Sequence, residues 1–81
     1  MMPPVCNFKR VDVRDLICRG GQPLTEICRH AAAVQAGEGI IVIAPFLPSP
    51  LIELLGGEGF RSKLERGKGS DWVVYFWRES N

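Results

Sequence analysis

Cys18 is the residue of this 81-residue chain whose type and position best suit covalent chemistry. Arg19 follows it, and Gly20 and Gly21 make a turn before a helical pattern. We expect Cys18 to lie in the loop that enters this helix. Its thiolate would then be stabilised, because helix N-termini and nearby cations favour the charged form of a cysteine. A thiolate is the nucleophile in sulfur transfer, and the two glycine amides would be open to an anion or a persulfide. The alternative is an unreactive loop cysteine.

The other cysteines and the histidine carry weaker signals. Cys28 falls on the apolar side of the helical pattern, which is typical of a small core residue. Cys6 lies near the N-terminus without a recognisable role, and His30 falls on the polar side of the helix, where solvation is expected. Three cysteines without a Cys-x-x-Cys pair favour neither a disulfide framework nor a structural zinc site. No metal or cofactor is expected.

The charges indicate local docking rather than a general electrostatic field. Arg14 and Arg19 are candidates for holding an anion or a protein partner, and an exposed ion pair between Arg14 and Asp15 is the alternative. The net charge of +1 argues against nucleic-acid binding and against attraction to an anionic membrane. The longest apolar run, residues 40–44, is too short to span a bilayer, and residues 1–10 lack the apolar core of a signal peptide. A cytoplasmic protein is the expectation.

Hydrophobic periodicity predicts the elements that must position these residues. Pro23 suits the first turn of one helix, and Ser49-Pro50 is typical of the start of another. The first and third strands alternate between apolar and charged residues, whereas the second and fourth are apolar throughout, as central strands are. The six elements are a strand over residues 8–14, a helix over about 22–35, a strand over 40–44, a helix from 49 to the glycines at 56–59, and strands over 60–66 and 72–77.

This order, β-α-β-α-β-β, predicts an α/β (α+β) two-layer sandwich with both helices on one face of a four-stranded mixed sheet. The first two strands flank a helix and should be parallel, while the last two should form a hairpin. Central positions for the apolar strands give the spatial order 1-2-4-3. Residues 1–7 are interpreted as a flexible leader and residues 8–81 as a single domain.

The last strand predicts an apolar patch on the sheet face that the helices leave open. If Trp72, Val74 and Phe76 face the helices, then Val73, Tyr75 and Trp77 face away from them. Apolar patches of this kind mark interfaces, which here would serve a partner protein or a homodimer. The alternative is a set of aromatic side chains shielded by arginine stems and the leader.

Several short motifs resemble the TusA/SirA sulfur-carrier group. The segment from Asp12 to Cys18 resembles the family's Asp-x-Arg-Gly-x-x-Cys opening, and Ala36-Gly37-Glu38 resembles its Pro/Ala-Gly-Glu turn. A bacterial branch of uncharacterised TusA-related domains is more similar still. This sequence shares with that branch a proline-containing segment after the second strand and a Trp-x-Val-x-Phe pattern in the last strand. The resemblance covers residues 11–78.

The resemblance implies the same fold and a carrier that holds a persulfide on the cysteine of a Cys-Pro-x-Pro motif. Cys18 occupies that place, but the run here is Cys-Arg-Gly-Gly-Gln-Pro, in which only Pro23 matches a family proline. The uncharacterised branch has an Asp-His-Asp-Pro-like segment after the second strand. Here that segment, residues 44–48, is Ala-Pro-Phe-Leu-Pro.

Two functional hypotheses follow. The first is a TusA-like carrier or adaptor in sulfur or redox traffic, with Cys18 as persulfide acceptor and a protein as sulfur donor or recipient. The second is a non-catalytic module that binds a protein or a small ligand through the open sheet face or the glycine-rich turn. The sequence leaves open whether the protein is an enzyme.

Overall fold

The computed structural model describes residues 3–79, and every structural statement below refers to that range. A short 3-10 helix, Val5–Asn7, leads into a four-stranded sheet with three helices. In chain order the elements are β1 (Phe8–Asp12), α1 (Arg14–Cys18), α2 (Pro23–Ala32), β2 (Gly39–Ala44), α3 (Ser49–Gly57), β3 (Arg61–Arg66) and β4 (Trp72–Trp77).

The sheet has the order β1-β2-β4-β3, which confirms the predicted 1-2-4-3 arrangement. β1 is parallel to β2, and β4 is antiparallel to both of its neighbours. The two apolar strands therefore occupy the centre, where each has a neighbouring strand on both sides. The charged strands β1 and β3 form the edges, as the alternation predicted.

The hydrophobic core lies between the sheet and the helices. Ile27 and Ala31 of α2 and Leu51 and Leu55 of α3 pack in one cluster with the sheet. The sheet residues of that cluster alternate with those of the opposite face and include Val11, Ile40, Val42, Ala44, Val74 and Phe76. Both predicted helices thus cover one face, and the two-layer architecture is confirmed.

The helix α1 was not predicted, because the first strand was expected to continue to residue 14. The strand ends at Asp12, whose carboxylate accepts the backbone N–H of Arg14 at 3.0 Å and so satisfies an amide of the new helix's first turn. Ile17 on this short helix packs against the core cluster. The second helix is also shorter than predicted and ends at Ala32 rather than near residue 35.

Part of the segment predicted to be a flexible leader forms hydrogen bonds. The N–H of Asn7 donates to the carbonyl of Pro4 at 2.9 Å, and its side-chain amide donates to the carbonyl of Gly37 at 3.2 Å. Residues 1 and 2 of the predicted leader lie outside the described residues. No helix within residues 3–79 has the length and apolar character needed to cross a membrane.

Candidate functional site

Cys18 is the last residue of α1 and does not lie in a loop entering α2, so the predicted placement was wrong. Its side chain is exposed. The helix that carries Cys18 presents its carbonyl end there, and carbonyl groups do not stabilise a thiolate in the way that free amides do. Stabilisation by a helix N-terminus, one of the two grounds for the predicted reactivity, is therefore not supplied by α1; the other ground, the neighbouring cation Arg19, pairs with Asp15.

The glycines after Cys18 close α1 instead of cradling an anion. The N–H of Gly20 donates to the carbonyl of Ile17 at 3.0 Å, and that of Gly21 donates to the carbonyl of Leu16 at 2.9 Å. Gly20 has a φ of +77°, so the pair forms the left-handed cap known as a Schellman motif. Both amides are occupied, which contradicts their predicted availability to a persulfide or another anion.

Arg14 joins the β1–α1 corner to the β3–β4 loop. Its guanidinium donates to both carboxylate oxygens of Asp12, at 3.0 and 2.7 Å, and to Asp71 at 2.6 Å. The hydrogen bonds from the Arg14 side chain lower the pKa of the Asp12 carboxyl below its ordinary value. Two carboxylates thus neutralise the charge that was predicted to hold an anion, and neither of them is Asp15, the predicted alternative partner.

The remaining candidates of the first helical region are dispersed. Arg19 pairs with Asp15 at 3.3 Å across the exposed side of α1. Cys28 is half-buried on α2. The His30 ring, expected to be solvated, is only 20% exposed and lies 3.1 Å from the Glu26 carboxylate. No group of three or more histidine, cysteine or acidic side chains within residues 3–79 is arranged to hold a metal ion.

The predicted open-face residues lie on the side of β4 away from the helices. Val73, Tyr75 and Trp77 pair in register with Ile43, Ile41 and Gly39 of β2. Val73 and Tyr75 are half-buried, and Trp77 is buried with 8% of its surface exposed.

The ring of Phe8 covers part of the open face. It lies across Gly39 and packs edge-on against Tyr75 and Trp77, with ring centroids 5.8 and 6.4 Å away. Burial raises the pKa of the Tyr75 hydroxyl, and nearby Glu65 raises it further. The open face is therefore smaller and less exposed than the pattern alone suggested.

An apolar cleft that the sequence reasoning missed opens at the carboxyl ends of β1 and β2. It lies where the N-terminal turns of α2 and α3 approach each other, and its volume is about 230 Å³. Every residue that lines it is apolar: Val13, Pro23, Leu24, Ile27, Ala44, Phe46, Pro48, Pro50 and Leu51. Cys18 is not among them. In open α/β sheets, ligands bind in such crevices beyond the carboxyl ends of the strands.

Exposed apolar side chains lie at the mouth of this cleft and on the segment that forms one of its walls. Leu24 is 44% exposed, Phe46 47% and Leu47 41%. Pro45 and Pro48 bracket the last two and hold the segment away from regular structure. The sequence feature that could have indicated the cleft is the segment of residues 44–48. It is apolar, whereas the uncharacterised TusA-related branch has a histidine and acidic residues there.

The structure is a small two-layer α+β domain with an apolar cleft at the carboxyl ends of β1 and β2. A model of uncharacterised conserved proteins, the DUF2249 family, matches residues 10–78. Because this match spans most of the chain, the protein belongs to that family. No curated protein and no solved structure matches the chain.

Proposed function

We propose that this domain is a non-catalytic adaptor that captures an apolar side chain of a partner protein in the cleft. The observation that carries the proposal is a concave site lined wholly by apolar residues, with Leu24 and Phe46 exposed at its mouth. Full burial of an exposed leucine or phenylalanine side chain is worth about 1.5–3 kcal/mol, so burying the remaining exposed half of Leu24 and Phe46 would gain roughly half of that for each. Binding energy at protein interfaces is concentrated in anchors of this kind.

The size and chemistry of the cleft favour a side chain over a cofactor or metabolite. Its volume of about 230 Å³ is smaller than the roughly 300–1,000 Å³ of pockets for drug-sized ligands. Small-molecule sites also contain a few polar groups that orient the ligand. Side chains with such groups are absent from the lining, so a single aromatic or branched aliphatic side chain is the occupant that fits.

The test uses N-acetyl-tryptophanamide as an uncharged stand-in for a partner's aromatic side chain. We expect titration to shift the methyl resonances of Leu24, Ile27 and Leu51, and Phe46→Ala to weaken binding several-fold. Leu54→Ala is the matched control, because Leu54 is 40% exposed on α3 and does not line the cleft. Shifts confined to Ile41 and Val73 on the open face, or equal binding by the two variants, would exclude the cleft.

A sulfur carrier acting through Cys18 is the second candidate, and one observation favours it. Among the three cysteines, Cys18 alone is both exposed and inside the family match, since Cys28 is half-buried and Cys6 precedes residue 10. In this reaction the Cys18 thiolate would attack the outer sulfur of a donor persulfide. A new persulfide would form on Cys18, and the donor would leave as its thiolate.

Intact mass spectrometry after incubation with a cysteine desulfurase and free cysteine tests the carrier. A carrier gains one sulfur, about 32 Da, on Cys18, and Cys18→Ser abolishes the gain while Cys28→Ser keeps it. Absence of added sulfur on Cys18 removes this candidate and leaves the adaptor.

A further inference from the structure

The outer side of β1 offers unused backbone hydrogen-bonding groups. β1 is an edge strand that pairs only with β2 among the described strands. The N–H of Val13, just beyond β1, donates to the carbonyl of Ile43 in β2 at 3.0 Å. Because the amides of a parallel strand alternate between its two sides, those of Arg10 and Asp12 point away from β2. The edge can therefore accept a further strand.

A groove runs along this edge, between β1 and the helices. Two hollows of about 370 and 260 Å³ meet at His30 of α2, and together they follow the length of β1. We call them the edge groove; its polar residues are Asn7, Lys9, Arg10, Asp12, Asp15, Arg19, Glu26, His30 and Glu38. An added strand would lie about 4.8 Å from β1, with alternate side chains in this groove.

The carboxylates of the edge groove all have partners within the chain. Asp12 pairs with Arg14, and Glu38, which has no ion pair within residues 3–79, accepts the backbone N–H of Gln35 at 3.1 Å. Asp15 pairs with Arg19, and Glu26 pairs with both Arg29 and His30. Lys9 and Arg10, by contrast, form no ion pair with any residue in the range 3–79. Two cations beside a free strand edge are complementary to an acidic segment.

The two cations lie on opposite faces of the sheet. Lys9 pairs in register with Ile40, which belongs to the helix-covered face, and Arg10 pairs with Ile41 of the open face. Consecutive residues of an added strand also point to opposite faces. Two adjacent acidic residues would therefore meet Lys9 on one side and Arg10 on the other.

We propose that β1 receives an extended acidic segment of a partner protein as a fifth strand of the sheet. A second copy of β1 fits the edge less well. Antiparallel pairing centred on Arg10 would place two arginines opposite each other, which is destabilising. Pairing centred on Val11 would place Arg10 opposite Asp12, whose carboxylate Arg14 already holds. This surface is separate from the apolar cleft, and the proposal does not depend on the proposed function.

The experiment uses a capped peptide of about eight residues, built of valine and threonine with two adjacent central glutamates. In the control peptide, glutamines replace the two glutamates. NMR titration of the labelled protein at low salt gives the affinity, and hydrogen exchange reports protection of the Arg10 and Asp12 amides. We expect the glutamate peptide to bind about tenfold more tightly than the control and to protect both amides.

Two variants separate the charge requirement from folding. Lys9→Glu with Arg10→Glu should abolish the preference for glutamate, whereas Lys68→Glu, which makes the same type of change in an exposed loop, should retain it. Equal affinity for the two peptides, absence of binding below about 1 mM, or protection elsewhere in the sheet would overturn the proposal. Protection of the Arg10 amide that rises with concentration in the free protein would also overturn it, because a second copy would then occupy the edge.

Discussion

β2 and β4 send apolar side chains to both faces of the sheet, and the two faces are covered by different means. On one face, α2 and α3 bury Ile40, Val42 and Phe76 to 1% exposure or less. On the other, Phe8 lies across Gly39 against the rings of Tyr75 and Trp77. Part of the open face is thus covered by a residue of the edge strand β1. An apolar central strand such as β4 therefore does not by itself indicate that a partner protein covers this face.

The charged residues of the edge strands complete this second form of cover. Arg10 and Asp12 of β1 and Arg61, Lys63 and Glu65 of β3 flank the apolar strip in register. Lysine and arginine side chains can lay their aliphatic stems along neighbouring apolar surface while their charged ends stay in water. The helix face therefore depends on packing between layers, whereas the open face depends on neighbours within one layer.

The largest expected effect contrasts two adjacent residues of β4 that point to opposite faces. Phe76 is fully buried beneath the helices, so Phe76→Ala should cost about 3–5 kcal/mol of unfolding free energy. Tyr75 is half-buried on the open face, and Tyr75→Ala should cost about half as much or less. Urea unfolding of both variants measures the difference. Equal losses would mean that the open face is as tightly packed as the core.

Gly39→Ala tests the close packing around Gly39, which both the backbone of Phe76 and the ring of Phe8 approach. A Cβ there would lie 2.4 Å from the backbone oxygen of Phe76 and 2.6 Å from the Phe8 ring. Because the backbone cannot yield easily, we expect a loss of about 1–3 kcal/mol. Gly56→Ala is the matched control: its Cβ meets nothing within 4 Å, and alanine in a helix should stabilise the protein by about 0.5–1 kcal/mol. A neutral Gly39→Ala would contradict this packing.

The Arg14 corner predicts a pH-dependent effect of intermediate size. Hydrogen bonds from Arg14 lower the pKa of Asp12 in the folded protein below its ordinary value of 3.8. A carboxyl with a lowered folded pKa stabilises the fold above that ordinary value, and the contribution is lost as the pH falls through the folded pKa. Arg14→Gln should therefore lower the Tm at pH about 6, and its difference from the wild type should shrink below pH about 4.

Arg19→Gln supplies the comparison for that measurement. Arg19 makes one exposed contact with Asp15, so its removal should change stability by less than about 1 kcal/mol at either pH. A Tm difference for Arg14→Gln that stays constant down to pH about 2 would show that Asp12 does not carry the effect.

The sheet could be predicted from sequence because its signals are local and repeated. The unbroken apolar runs at residues 40–44 and 72–77 marked the central strands, and the charged alternation of 60–66 marked an edge. α1 escaped detection because its five residues are too few to show a helical period, and the Asp12 side chain that accepts the Arg14 amide leaves no periodic pattern. The two glycines were correctly identified as a turn but assigned to the following helix, whereas they cap the preceding one.

The candidate site was harder to predict for a geometric reason. The cleft is assembled from the end of β1, the start of α2, the end of β2 and the start of α3. Each contributing residue is ordinary in its own segment, and Leu24 or Phe46 alone is one exposed apolar residue among several. These residues form a concave surface only when α2 and α3 pack side by side. The role of Cys18 as a persulfide acceptor and that of the open face as an interface stay predictions.

The smallest expected effect concerns self-association through the open face. Four strands of about six residues present roughly 19 by 20 Å, or about 400 Å², whereas standard interfaces bury about 800 Å² on each partner. Part of this area is already used, since Trp77 is buried against its own chain. We therefore expect sedimentation to show a monomer at micromolar concentration and at most weak pairing at millimolar concentration. Tyr75→Arg should abolish that pairing and leave sedimentation at low concentration unchanged. The contrary result is a stable dimer that Tyr75→Arg dissociates and that Leu54→Arg, on α3, leaves intact. It would show that a second copy of the protein covers the part of the open face that Phe8 leaves exposed.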